Sequence, residues 1–182
     1  MVCSIIQTMS ENSQDVTIAN QQERLSETEL AWLAGIIDGE GAVMIGCNST
    51  HRSIYPHIQI SSMSKEMIEE CARIISKMGV ESSVKHKVRT YATRKGEVKN
   101  EYRREYSKIS ILTASRIKIV LEKVKPYIIV KKPHCEIVLE FCNSRLSLPY
   151  GYSYTERELQ LFHEIKKYQL KINRRTERIP ND

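Results

Sequence analysis

Residues 30–41 read LAWLAGIIDGEG, and the packing this stretch demands decides the fold. Wound into a helix, Leu30, Leu33, Ala34 and Ile37 form one apolar stripe, while Trp32, Gly35, Ile36 and Gly39 form another. One stripe is enough to seat a helix on a core. A helix that is apolar on both sides has to be covered on both, so the second stripe requires another element or another molecule. Ala31, Ala34 and Gly35 would also let a second backbone come close. Just upstream, Ser26 and Glu29 form a capping box that starts the helix, and Gly39 and Gly41 are expected to stop it after about three turns. Asp38 and Glu40 stand between these glycines at the helix foot, where carboxylates and free carbonyls can face a hard cation. The remaining aspartates are Asp15 and Asp182, so an acidic metal site must draw on Asp38, Glu40 or helical glutamates.

Working outward, 42–48 and 54–61 read as strands joined by a polar stretch, STHRS. Ile54, Ile58 and Ile60 alternate with Tyr55, His57, Gln59 and Ser61, the period of a sheet with one dry and one wet face. Ser64 caps a helix whose Met67, Ile68, Cys71, Ile74, Ile75 and Met78 form a core stripe, and Gly79 ends it. A second strand pair follows at 83–91 and 101–112, around the polar connection ATRKGEVKN. Lys85, Lys87, Arg89 and Tyr91 take the wet face of one strand, with Val84 and Val88 on its dry face, and Tyr102, Arg104, Tyr106 and Lys108 take that of the other, with Ile109 and Ile111 on the dry face. Helices resume at 114–125, 132–143 and 155–174, the last opened by a second capping box, Thr155 and Glu158. The order is that of an α+β domain, αββαββα followed by C-terminal helices, with each strand pair close enough for an antiparallel hairpin. Residues 1–25 read as a flexible lead-in and 26–182 as one domain.

Composition limits the function. At 41% hydrophobic and 27% charged, the 182 residues suit a single folded domain and neither a disordered nor a fibrous chain. No apolar run reaches the ~18 residues of a membrane span, and MVCSIIQTMSENSQD lacks the basic and continuous apolar regions of a signal peptide. The five cysteines, Cys3, Cys47, Cys71, Cys135 and Cys142, are odd in number, scattered and without CxxC pairing, so they read as reduced, mostly buried thiols. Together these place the protein in the cytoplasm or an equivalent reducing compartment, an organelle or the nucleoid, with no membrane partner. The net charge is +6, and the nine Lys/Arg and three Glu of residues 85–108 account for all of it. An anionic partner lying along that hairpin follows.

LAGIIDGEG, Leu33 to Gly41, resembles the motif that names the LAGLIDADG homing endonucleases, and the order of elements from 26 to 143 is similar to that family's core. The resemblance implies a saddle-shaped, four-stranded antiparallel sheet lying in the major groove of double-stranded DNA. Its contacts would be Tyr55, His57, Gln59, Ser61, Lys85, Lys87, Arg89, Arg104, Tyr106 and Lys108. It implies that Glu40, with the carbonyl of Gly39, ligates an essential Mg²⁺, with Mn²⁺ or Ca²⁺ able to substitute in binding. Lys131, in KPYIIVKK, maps to the catalytic-pocket lysine, with Lys132 as the slip-by-one alternative. Asp38 is assigned a mainly structural role. One motif implies a homodimer, with Trp32, Gly35, Ile36 and Gly39 at the interface. The family often has a polar water-positioning residue at the end of the second strand; Met63, within Ser62–Met63–Ser64, departs from that.

The implied function is a metal-dependent phosphodiester hydrolysis that makes a double-strand break in a long, near-palindromic DNA target. Two alternatives share the fold: a maturase that binds intron RNA to assist splicing, and a DNA-binding module that does not cut. Other nuclease chemistries lack their signatures. His51, His57, His86, His134 and His163 show no HxxxH or HExxH spacing and read as surface or DNA-face residues, and GEG ends a helix rather than following a strand. The aromatic run YGYSY (150–154) reads as a packing loop.

Overall fold

The computed structural model describes residues 24–48, 53–89, 104–149 and 151–176, with side chains as far as 168 apart from that of Arg89. The lead-in before residue 24, His51, Tyr91, Tyr102 and the ATRKGEVKN connection lie outside the described residues.

The elements are α1 (Glu27–Glu40), β1 (Gly41–Cys47), β2 (Ile54–Ser62), α2 (Lys65–Lys77), β3 (Ser83–Arg89), β4 (Arg104–Ile111), α3 (Ala114–Val124), a 3₁₀ turn (Lys125–Tyr127), α4 (Lys132–Ser147) and α5 (Glu156–Thr176). Ser26 caps α1 as expected: its hydroxyl accepts from the Glu29 amide at 3.1 Å, and Glu29 accepts the Ser26 amide at 2.9 Å. The helix does not stop at Gly39. It continues through it to Glu40, since one glycine in a helix costs only ~1 kcal/mol. Termination falls on Gly41, where the chain turns extended and the amide donates back to the Ile36 and Ile37 carbonyls. A Cβ at Gly41 would lie 2.7 Å from the Ile37 carbonyl oxygen, so the last glycine of the motif is sterically required.

The sheet is antiparallel with strand order β1-β2-β4-β3. The two hairpins therefore join through β2 and β4, with Ile60 opposite Ile109 and Ser61 opposite Lys108. One face carries Val43, Ile45, Ile54, Ile58, Ile60, Ile109 and Ile111 into a core shared with all five helices. From α1 that core takes Leu33, Ala34 and Ile37, which are fully buried. The helices thus cover one side of the sheet, and the other, the free face, is uncovered among the described residues.

Two further expectations change. Val88, assigned to the dry face, is exposed near the end of the edge strand β3, beyond the helices' cover. His134, expected on the surface, is 8% exposed: it lies on the core side of α4 against the Tyr168 ring, 5.4 Å between centroids. Among the described cysteines Cys71, Cys135 and Cys142 are buried free thiols, their pKa values pushed up by burial to about 12, 11 and 12. No described helix is long and apolar enough to cross a membrane.

Candidate metal centre and nucleic-acid interface

Helix α1 ends with the carbonyls beyond Ile37 lacking an intrahelical donor, as every helix end does. It has no basic residue in that turn to offset them. The missing cation comes from far along the chain: the Lys131 ammonium donates to the Ile37 carbonyl at 2.9 Å and to the Asp38 carbonyl. Asp38 returns the contact. Its carboxylate accepts the amides of Ile129, Val130 and Lys131 at 2.7, 3.1 and 2.8 Å, closing the turn that precedes α4. Burial would raise the Asp38 pKa, but the three amides and the Lys131 charge outweigh it and hold the group below the ordinary carboxylate value. Burial pulls the Lys131 pKa below the usual lysine value, against the opposing charges of Asp38 and Glu40.

This lock does two things for the site. It distinguishes Lys131 from Lys132, which is exposed at the start of α4. It also fixes the Lys131 ammonium at the foot of α1 with two of its three N–H donors engaged, so a third remains for a neighbour. Both Asp38 carboxylate oxygens accept backbone amides, Oδ2 two of them and Oδ1 one.

Glu40, the next acidic residue, is exposed and forms no hydrogen bond with the described residues. It lines an open cavity of about 610 Å³ with Gln59, Ser61, Ser62, Met63, Ser64, Arg104 and Tyr106. That cavity joins the helix foot to the free face of the sheet, where the strand register assembles rows of side chains. Ser61, Lys108 and Lys85 form one row, Tyr106 and Lys87 the next, and beyond them Arg104 follows, with Arg89 as its partner in the backbone register. Ser61, Gln59 and Lys108 are linked: the Gln59 amide donates to the Ser61 hydroxyl at 3.2 Å, and Lys108 donates to the Gln59 carbonyl oxygen at 3.4 Å. Tyr55 and His57 continue the face on β2, their rings 6.4 Å apart. Burial and the charge of Lys108 lower the His57 pKa, which keeps the ring neutral at physiological pH.

Ala42, Met44 and Gly46 also belong to this face, because Val43 and Ile45 are the buried members of β1. The sequence offered no contrast to reveal them, since alternation between two apolar sets looks like a continuous apolar run. Met63 is exposed at the cavity rim, and the polar groups beside it are Ser61, Ser62 and Ser64.

Among the described residues, most of the second apolar stripe of α1 stays uncovered. Trp32 is 38% exposed, Gly35 and Gly39 are exposed, Ile36 is half-buried, and a Cβ built at either glycine meets nothing within 4 Å. Among the described residues no three His, Cys, Asp or Glu side chains converge.

Residues 27–125, over half of the chain, match the family model described as a LAGLIDADG-like domain. An uncharacterized protein of Methanocaldococcus jannaschii is 33% identical over 55 residues, 30% of this chain and 20% of that protein, so the chain spans about a fifth of its relative's length. Among solved structures, the homing endonuclease I-TnaI is similar at 18% identity and a TM-score of 0.49, covering 83% of this chain and 97% of that one. The homing endonuclease I-CvuI, in complex with its target in the presence of calcium, is similar at 16% identity and a TM-score of 0.45, covering 78% and 94%. The archaeal intron-encoded homing endonuclease I-Vdi141I, complexed with DNA, is similar at 13% identity and 0.45, covering 79% and 98%.

Proposed function

The chain belongs to the LAGLIDADG-like domain family, and from that premise we propose that it is a site-specific homing endonuclease, which as a homodimer makes a double-strand break in a long, near-palindromic DNA target. The observation that carries the reading is the junction at Glu40: a carboxylate with no hydrogen-bond partner among the described residues, at the end of the motif helix, shares one cavity with Arg104 and Tyr106 of the sheet face.

Glu40 and the adjacent Gly39 carbonyl are hard oxygen donors, the chemistry that suits Mg²⁺ and, for binding, Mn²⁺ or Ca²⁺. One chain supplies a single free carboxylate here, so the site is completed by a second copy's Glu40 and by the oxygens of DNA and water. A bound divalent cation supplies Lewis-acid stabilisation of charge on the phosphate. The protein's own part is positioning. Lys131 directs its remaining donor toward the scissile phosphate, and Gln59, Ser61 and Lys108 form the polar network nearest the helix foot, in a region where Met63 cannot orient water. Lys85, Lys87, Arg89, Arg104 and Tyr106 neutralise and read the duplex, with Tyr55 and His57 farther along β2.

Self-association follows from the uncovered stripe. Trp32, Gly35, Ile36 and Gly39 would pack against the same helix of a second copy in an isologous contact, the arrangement that two-fold symmetry permits. Each subunit then brings one Glu40 to the axis.

The test is a plasmid library carrying insertion-free candidate sites, including the one flanking the gene, digested with Mg²⁺ and with EDTA. Linear product with Mg²⁺ alone supports the reading; no break at any site refutes it. Splicing of a linked intron unaffected by Glu40→Gln would identify the maturase instead.

A further inference from the structure

The free face of the sheet is not uniform along its strands. Taking the Ile60–Ile109 pair as the centre, Lys108, Lys85, Lys87, Arg104 and Arg89 all lie toward the β3–β4 tip. Toward the β1–β2 tip the register instead pairs Met44 with His57 and Gly46 with Tyr55, and no described side chain of that half carries a charge at neutral pH. The Tyr55 ring packs against Gly46: a Cβ there would sit 3.3 Å from two of its carbons, so the glycine makes room for the ring. Met44 completes a half-buried, neutral patch on a face that is otherwise cationic.

We propose that Met44, with His57 and Tyr55, forms an apolar reading patch for the 5-methyl group of thymine in the major groove. This rests on the DNA-binding reading given above. The patch is continuous with the cationic rows, so the duplex that neutralises Lys85, Lys87 and Arg104 passes over it. Among the described residues, phosphate has no counter-charge to meet there. Among the groups that major-groove edges present, the thymine methyl is the apolar one, and a thioether flanked by rings supplies surface without demanding a hydrogen bond. The cationic half would then supply affinity and salt dependence, and the neutral half base selection.

Duplexes selected from a random pool by the wild-type protein in Ca²⁺ provide the probe, with single thymines replaced by deoxyuridine, which removes only the methyl. Burial of one methyl-sized group corresponds to about a fourfold loss of affinity at one or more outer positions. Met44→Ala should abolish that penalty and leave the salt slope unchanged, whereas Lys87→Ala should reduce the slope by about one and keep the penalty. Wild type that binds duplexes but shows no deoxyuridine penalty overturns the patch, as does Met44→Ala that retains the penalty. If wild type selects no duplex at all, the DNA-binding reading falls, and the patch with it.

Discussion

Asp38 and Lys131 hold each other through opposite groups: the Asp38 carboxylate accepts the Lys131 amide at 2.8 Å, while the Lys131 ammonium donates to the Asp38 carbonyl. The exchange ties the foot of α1 to the start of α4 and places a cation beside the Glu40 cavity. Each half serves a different need. The carboxylate satisfies three amides of a turn, and the ammonium gives the Asp38 carbonyl a donor that the helix end lacks and adds a second donor to the Ile37 carbonyl.

Removing the two halves should therefore have separable effects. Asp38→Asn keeps one acceptor oxygen but not the charge, and should destabilise the fold by about 1–3 kcal/mol in urea titrations. Lys131→Met keeps the stem and loses the ammonium. It should lower the cleavage rate by ~10² or more, with target affinity within about threefold of wild type, measured by single-turnover digestion and fluorescence anisotropy.

Glu40→Gln should leave stability within about 0.5 kcal/mol, because the carboxylate is exposed and has no hydrogen-bond partner among the described residues. Cleavage should be lost at all Mg²⁺ concentrations while target binding persists. Gel assays with and without EDTA read both quantities; cutting by the variant would remove Glu40 from the metal site.

The three glycines of the motif should respond differently. At Gly35 a side chain has free space within the chain, so Gly35→Leu should fold at least as stably as wild type while sedimentation velocity reports loss of the dimer. At Gly41 the added Cβ meets the Ile37 backbone, so Gly41→Ala should cost about 1–3 kcal/mol. A Gly35→Leu protein that still dimerises would place the subunit interface elsewhere.

Acid should loosen the α1–α2 contact first. The Ser26 amide, with Lys77 and Arg73, lowers the Glu29 pKa from 4.5 to about 2. A depressed folded-state pKa contributes stability in full above the unfolded value, and that contribution fades as pH falls from about 4.5 toward 2. Thermal melts of wild type and Glu29→Gln should differ at pH 7 and converge through that window.

Much of the architecture was legible because it is local. Capping boxes at Ser26 and Thr155, the positive φ of Gly79 at the end of α2, and the alternation of Ile58 and Ile60 with His57 and Gln59 each involve neighbours within a few residues. Such patterns survive in one dimension, as did the two-sided apolar character of residues 30–41. The burial of His134 was not legible, because its ring lies against Tyr168 on α5, and no short-range pattern distinguishes a covered helix face from a wet one. Met44 was hidden by lack of contrast in an apolar strand.

The motif's chemistry follows the same division. Glu40's position at a helix end and the basic alternation on β3 and β4 were set by spacing alone. The joining of the two hairpins through β2 and β4 and the placement of Lys131 on a helix end 94 residues earlier arose only on folding. Such distant partners must overcome loop-closure entropy together, and what makes one set succeed is the simultaneous fit of the core and the pairing of every buried polar group. That fit depends on the whole chain, and no window of sequence contains it.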